Sequence, residues 1–267
     1  MASALDSAAP AMFGIGRVIA RTFEVFGRNF VPFCTLSVLA VVPTMVLDMF
    51  WGRNVLLQAT GGHVAPGFWL TYLGTEFVTV AIALVFSSLL QAAIVHGTIT
   101  TLNGKPAGFG ECLSTAWRYC LRVIGIGLLV SVCVGLGVLV LIVPGLIFAM
   151  MLAVAVPVCV AEGKPVLDSL SRSAELTGGH RWAIFAVFTV GFVASAAVNF
   201  AIRPLLGVGL FSTPENLIPG FGIFWIASAL LRVLTTAIFA TGVASIYYEL
   251  RMIKEGAGPE QLAEVFA

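Results

Sequence analysis

Glu76 and Arg232 stand inside otherwise apolar stretches of the sequence, and Asp48 borders a third. A charge in hydrocarbon is costly, so such residues face a partner side chain, a bundle interior or a water-filled cavity. Around them run polar stripes at helical spacing. Tyr72, Glu76, Thr79, Ala83, Ser87 and Gln91 form one; Gly191, Ser195, Asn199 and Arg203 form another; Ser228, Arg232 and Thr235 form a third. The simplest assembly brings the three stripes together, with Glu76 against Arg232 in one half of a helical bundle and Asn199, Arg203 and Asp48 nearer its surface. Chemically such a seam has two uses. It can hold an anionic headgroup or substrate on Arg232 and Arg203, or it can be an ion pair and hydrogen-bond seam that orients helices.

Catalytic signatures are missing. There is no His-Glu-x-x-His for zinc, no Gly-x-Ser-x-Gly elbow and no Gly-x-x-x-x-Gly-Lys-Ser/Thr phosphate loop. His63, His96 and His180 fall in separate segments, and the five cysteines at 34, 112, 120, 133 and 159 follow no CxxC spacing. The sequence therefore predicts no catalysis, no cofactor and no metal. A formal net charge of +1 gives no electrostatic footprint for nucleic acid.

These residues must be positioned by helices in a membrane. Of the 267 residues, 59% are hydrophobic and 10% charged, against about 25% charged in soluble domains. Stretches of about 20 apolar residues suffice to cross a bilayer core, and they predict an all-α polytopic integral membrane protein of six spans, at about 30–49, 70–95, 123–143, 145–161, 182–202 and 222–248. The third and fourth come from one uncharged run, Val123 to Ala161, of 39 residues. As a single helix it would reach about 58 Å, so it is read as two crossings with a tight turn at Pro144-Gly145. Charge placement supports that division. With both termini inside, 11 basic residues fall on the inner side and two, Arg53 and Arg203, outside; with only one crossing the tally is seven against six. Residues 1–12 form an N-terminal tail without a signal sequence, 13–256 a single membrane domain, and 257–267 a short cytoplasmic segment.

Three inner segments are too charged to cross and too apolar for plain loops: 13–29, 110–122 and 166–177. In the first, Arg17, Arg21, Glu24 and Arg28 line one face and Ile15, Ile19, Phe23, Phe26 and Phe30 the other, a pattern for a helix in the headgroup plane. Glu24 precedes Arg28 by four residues, the favourable order for an ion pair. The second carries Arg118 and Arg122, the third Arg172, and Arg181 leads into the fifth span. These basic side chains either mark orientation or recognise anionic lipid. Gly104-Lys105-Pro106 and Gly163-Lys164-Pro165 introduce the second and third segments alike. The chain thus reads as three copies of interfacial helix plus transmembrane hairpin, starting near residues 13, 107 and 165.

Several short motifs carry a family likeness: Val156-Pro157-Val158 with Glu162, Ser169 to Thr177, Gly179-His180-Arg181-Trp182, and Tyr247-Tyr248-Glu249-Leu250-Arg251 with Lys254-Glu255-Gly256. The chain resembles, from Phe13 to Phe266, the membrane domain associated with glycerophosphoryl diester phosphodiesterases. The resemblance implies a multispanning protein of the bacterial inner membrane. It does not bring the hydrolase activity, because the barrel's His-Arg-Gly is absent, His180-Arg181 being followed by Trp182, and Pro214-Glu215-Asn216 is a coincidence. The resulting expectation is a non-catalytic membrane protein with a lipid-associated envelope or scaffold role, its partners being membrane lipids with anionic headgroups, a protein partner or a second copy of itself. The alternative is a small transporter or lipid translocator using the seam around Glu76 and Arg232.

Overall fold

A computed structural model describes residues 13–60, 68–104, 108–205 and 221–256. Among these residues all regular structure is helical: α1 (Ile15–Arg28), α2 (Phe30–Thr60), α3 (Phe68–Leu102), α4 (Phe109–Val140), α5 (Ile142–Met151), α6 (Ala155–Glu162), α7 (Val166–Thr177), α8 (Arg181–Leu205) and α9 (Phe221–Glu255). Six segments are long and apolar enough to cross a membrane, supplied by α2, α3, α4, α5 with α6, α8 and α9. The protein is a multi-pass, all-α membrane protein.

Three boundaries depart from the sequence reading. The segment 110–122 is no separate helix, because α4 runs unbroken from Phe109 to Val140. No proline or buried asparagine interrupts it, and its polar first turns grade into the apolar span. The middle copy of the threefold pattern thereby lacks the joint that separates α1 from α2 and α7 from α8. Helix α2 likewise continues to Thr60 through residues expected in an outer loop. The α4–α5 turn falls at Leu141, three residues before the predicted Pro144-Gly145. Pro144 sits in the first turn of α5, where an absent N–H costs nothing. Gly145 serves contact instead of turning: a Cβ there would lie 2.7 Å from the Val138 nitrogen, and one on Gly137 would lie 2.8 Å from the Gly145 Cα. The two glycines let the hairpin's backbones touch, the small-residue packing that membrane helices favour.

Helix breaks occur where a neighbour can satisfy the freed backbone. Between α1 and α2, buried Asn29 donates from Nδ2 to the Val25 carbonyl (3.0 Å) and to Thr101 Oγ1 on α3 (2.7 Å). The fourth span breaks at Leu152 to Val154, one turn before Pro157, whose ring crowds the preceding turn and whose nitrogen cannot donate. There the Ala155 N–H turns to the Leu152 carbonyl. The Met151 carbonyl that it leaves accepts from Ser173 Oγ (2.9 Å) and Thr177 Oγ1 (3.2 Å) on α7. Gly163 then ends α6 in the left-handed conformation, φ +68°, which a side chain would oppose.

The buried core, including Val18, Phe33, Ile94, Ile99, Ile126, Leu176, Ile246 and Tyr247, gathers where α1, α6 and α7 meet the C-terminal halves of α3 and α9 and the N-terminal halves of α2 and α4. This end holds Arg17, Arg21, Arg172, Arg251 and Lys254 in ion pairs or hydrogen bonds, and is termed the basic end below. By contrast, of the described side chains of α8 only Ile184 is buried.

Candidate functional site

Two regions concentrate the polar and apolar features that could do something: a charged latch at the basic end and a groove beside α8.

The latch joins α6, α7 and α9. Tyr247, fully buried on α9, donates its hydroxyl to Glu162 Oε1 at the end of α6 (3.1 Å). Glu162 Oε2 takes Lys164 at 2.9 Å and Arg172 at 3.5 Å. Arg172 extends from α7 to pair also with Glu175 (2.9 Å) and with Glu255. Arg251 binds Glu255 Oε2 (2.8 Å) and donates to the Tyr247 oxygen (3.3 Å), and Lys254 donates to the Glu175 carbonyl. Burial works against the charge on Arg172, but its bond to Glu175 and the nearby carboxylates of Glu162 and Glu175 hold it protonated above the ordinary arginine range. The hydrogen bond from Arg172, then its charge, pulls the exposed Glu175 carboxyl below the ordinary glutamate range.

Beside the latch, α1 is fastened to α9. Glu249 is 3% exposed. Its Oε1 takes Arg17 (Nε 2.8 Å, Nη2 2.7 Å) and its Oε2 takes Arg21 (Nη1, 3.0 Å), while the Arg21 guanidinium lies 4.6 Å over the Tyr248 ring. The charged face of α1 thus has a partner inside the bundle. Arg17 and Arg21 reach a buried carboxylate, Val18, Thr22, Val25 and Phe26 are buried in the bundle, and Phe23 is exposed. Of that face's charges, Glu24 and Arg28 pair with each other at 3.0 Å, as their spacing predicts. Arg122 donates to the Gly163 carbonyl (3.1 Å), whereas Arg118 and Arg181 are exposed.

The groove is an apolar cavity of about 790 Å³ between α8 on one side and α1, α3 and α9 on the other. Along α8 it runs from Val187 to Val198, about 17 Å at 1.5 Å per residue. Phe188 and Phe239, with ring centroids 5.2 Å apart, stand between it and a smaller apolar cavity of about 420 Å³ bounded by α3, α4, α5 and α9. Most hydroxyls on its wall spend their proton on their own helix: Thr22 on Val18, Ser87 on Leu84, Thr235 on Leu231, Thr236 on Arg232. Gln91 lines both cavities, and among the described residues nothing hydrogen-bonds its amide.

The three polar stripes therefore do converge, through Ser87 and Gln91 of α3, Gly191 and Ser195 of α8 and Thr235 of α9. Glu76 and Arg232 are both exposed, no ion pair joins them, and Asn199 donates to its own helix at Ser195 (2.8 Å). The stripes line one groove at the level of Gln91, Gly191 and Thr235. The side chains of Asp48 and Arg203 lie outside the described residues, as do Lys105, His63 and Pro214-Glu215-Asn216. No group of three potential metal ligands occurs among the described residues.

Sequence reasoning placed Glu162 and Glu249 in motifs without giving them a role. A signal was present. Glu249 follows Gly242 and Ile246 at i+7 and i+3, on the helix face that α1 covers. Of the motifs quoted for the family likeness, Glu162, Arg172 and Glu175, and Tyr247 with Arg251, Lys254 and Glu255 tie α6, α7 and α9 together, whereas Arg181 and Trp182 are exposed. Comparison with protein-family models, with curated proteins and with solved structures finds no match for the chain.

Proposed function

We propose that the protein is a non-catalytic, lipid-associated component of the bacterial inner membrane that holds a membrane lipid against α8, with both termini cytoplasmic. The observation that carries this reading is the apolar groove, which follows the helix axes and has the length and lining to take an acyl chain. A cavity of this size with few polar points is the usual form of a small-molecule site. Gln91 offers an unspent amide at mid-depth, where a carbonyl or hydroxyl of the bound molecule can pair. The motif likeness to membrane domains that accompany phosphodiesterases supports a setting among lipids, and the positive-inside distribution supports the orientation.

The test is native mass spectrometry of gently extracted protein, wild type against Gly191→Leu. A Cβ on Gly191 meets nothing within 4 Å, so the larger side chain enters the groove without a backbone collision. Retained lipid in the wild type and its loss in the variant are expected; a wild type that carries no lipid overturns the reading. For orientation, reporter fusions after residues 60, 105 and 212 are expected to read outside, inside and outside. A second reading, a lipid translocator, draws on Gln91 lining both cavities, and acceleration of labelled-lipid exchange between leaflets of reconstituted vesicles would favour it.

A further inference from the structure

The smaller cavity meets the groove along Gln91, Phe188, Phe192, Phe239 and Val243, which line both. On its wall stands Ser88, one turn before Gln91 on α3. Ser88 is 6% exposed, and among the described residues its hydroxyl has no hydrogen-bond partner, whereas its neighbour Ser87 donates to Leu84. A buried hydroxyl ordinarily finds a partner, and leaving it unmet is costly. Gly127 on α4 gives that hydroxyl its room, since a Cβ there would lie 2.7 Å from Ser88 Oγ. Ser88 and Gln91, three residues apart on one helical face, thus present two unspent polar groups about 4.5 Å apart along the axis, on the side of the smaller cavity that adjoins the groove. No Asp, Glu, Lys or Arg lines either cavity. The depth follows from α4. Trp117, whose exposed ring suits the headgroup level, lies about 15 Å along the helix from Gly127. Half a bilayer core is also about 15 Å, so Ser88, opposite Gly127, lies deep in hydrocarbon.

Resting on the groove reading above, we infer that the bound lipid is an uncharged two-chain glycerolipid of the diacylglycerol class, one acyl chain in the groove, the other in the smaller cavity, and its ester carbonyls at Ser88 and Gln91. The Ser88 hydroxyl and Gln91 Nε2 donate to the two carbonyls, and Gln91 Oε1 accepts the free hydroxyl of the glycerol. Phe188 and Phe239 then stand between the chains. A single-chain lipid fills one cavity and leaves the other. A phospholipid carries its phosphate within a few atoms of its esters, which here sets a charge in hydrocarbon opposite no cation.

Full-length protein, delipidated in detergent and offered equal amounts of a diacylglycerol, a monoacylglycerol and a phosphatidylglycerol with matched chains, is washed and its retained lipid quantified by mass spectrometry. Wild type is expected to retain the diacylglycerol in preference to both competitors. Ser88→Ala and Gln91→Leu each remove one hydrogen bond to the lipid and are expected to lower that retention about fivefold. Neither side chain bonds the protein, so the delipidated variants should unfold at the wild-type midpoint. Ala149→Phe fills the smaller cavity and is expected to pass the preference to the monoacylglycerol. If a variant does not fold, the wild-type competition decides alone. Wild type that retains as much monoacylglycerol or phosphatidylglycerol as diacylglycerol, or more, overturns the inference while leaving the groove reading intact. So does undiminished retention in Ser88→Ala and Gln91→Leu, or an unchanged preference in Ala149→Phe. Retention of none of the three lipids by wild type overturns the groove reading itself.

Discussion

The latch and the groove are built from the same helices and differ in what fills the space between them. At the latch, α6, α7 and α9 meet through Tyr247, Glu162, Arg172 and Glu255, and the carbonyl freed by the break in the fourth span is taken up by Ser173 and Thr177. Beside α8 the facing surfaces are apolar and leave about 790 Å³ between them. In hydrocarbon, apolar side chains gain little from one another that lipid would not supply, so helices associate through close backbone contact and hydrogen bonds. The latch has those bonds and closes. The polar side chains of Thr189 and Asn199 on α8 bond within their own helix, and α8 stands off, as the proposed lipid site needs.

If that contrast is right, substitutions at the latch should cost stability and substitutions in the groove should cost only the ligand. The largest effect is expected from Arg172→Ala, which strips a partner from both Glu162 and Glu255. A loss of about 2–3 kcal/mol, discounted because Arg172 is partly exposed, should appear as a lowered unfolding midpoint in detergent. Next is the pair Ser173→Ala with Thr177→Val, which orphans the Met151 carbonyl and should cost about 1–2 kcal/mol; Thr177→Val alone should cost less, since Ser173 still donates. Gly191→Leu is the counterpart in the groove. It should leave the midpoint unchanged or raise it by the equivalent of up to about 1 kcal/mol, because glycine is the weaker helix former, and a large drop would mean that α8 is packed more tightly than described.

The smallest effect concerns pH. Glu175 is held below its ordinary range in the folded protein by Arg172. A carboxyl depressed in this way contributes stability above its unfolded pKa, about 4.3, and loses it as pH falls through the folded value. Wild type should therefore lose a slight margin over Glu175→Gln below about pH 4 and keep it from pH 5 upward. Because Glu175 is exposed, water screens the interaction and the margin is small. An equal midpoint for the two proteins at pH 7 would remove Glu175 from the latch.

Much of the fold is written in local patterns. Length and hydropathy give six spans, and the charge tally divides Val123 to Ala161 into two. The spacing of Glu24 and Arg28 gives their ion pair because both lie on one helix. What was misread depended on neighbours. The turn before α5 shifted to Leu141 because Gly145 was needed against Val138, a contact between two helices. The charged stripe of α1 reads as an interfacial face because nothing local shows that Glu249, more than 200 residues away, takes Arg17 and Arg21. The stripes on α3, α8 and α9 were legible as stripes, yet the level at which they meet depends on how the helices lean.

By itself, then, the sequence determined that this is an all-helical membrane protein, how many times it crosses and which segments carry charge, because burial in lipid constrains composition residue by residue. Tertiary structure decided which charges are partners and where space is left. Arg17 and Arg21 belong to Glu249, Arg172 belongs to Glu162 and Glu255, Glu76 and Arg232 do not pair, and the open volume lies beside α8. The reason is physical: ion pairs and cavities depend on distances of a few ångströms between helices far apart in the chain, and helical periodicity fixes a side chain's direction around its own axis but not what stands opposite it.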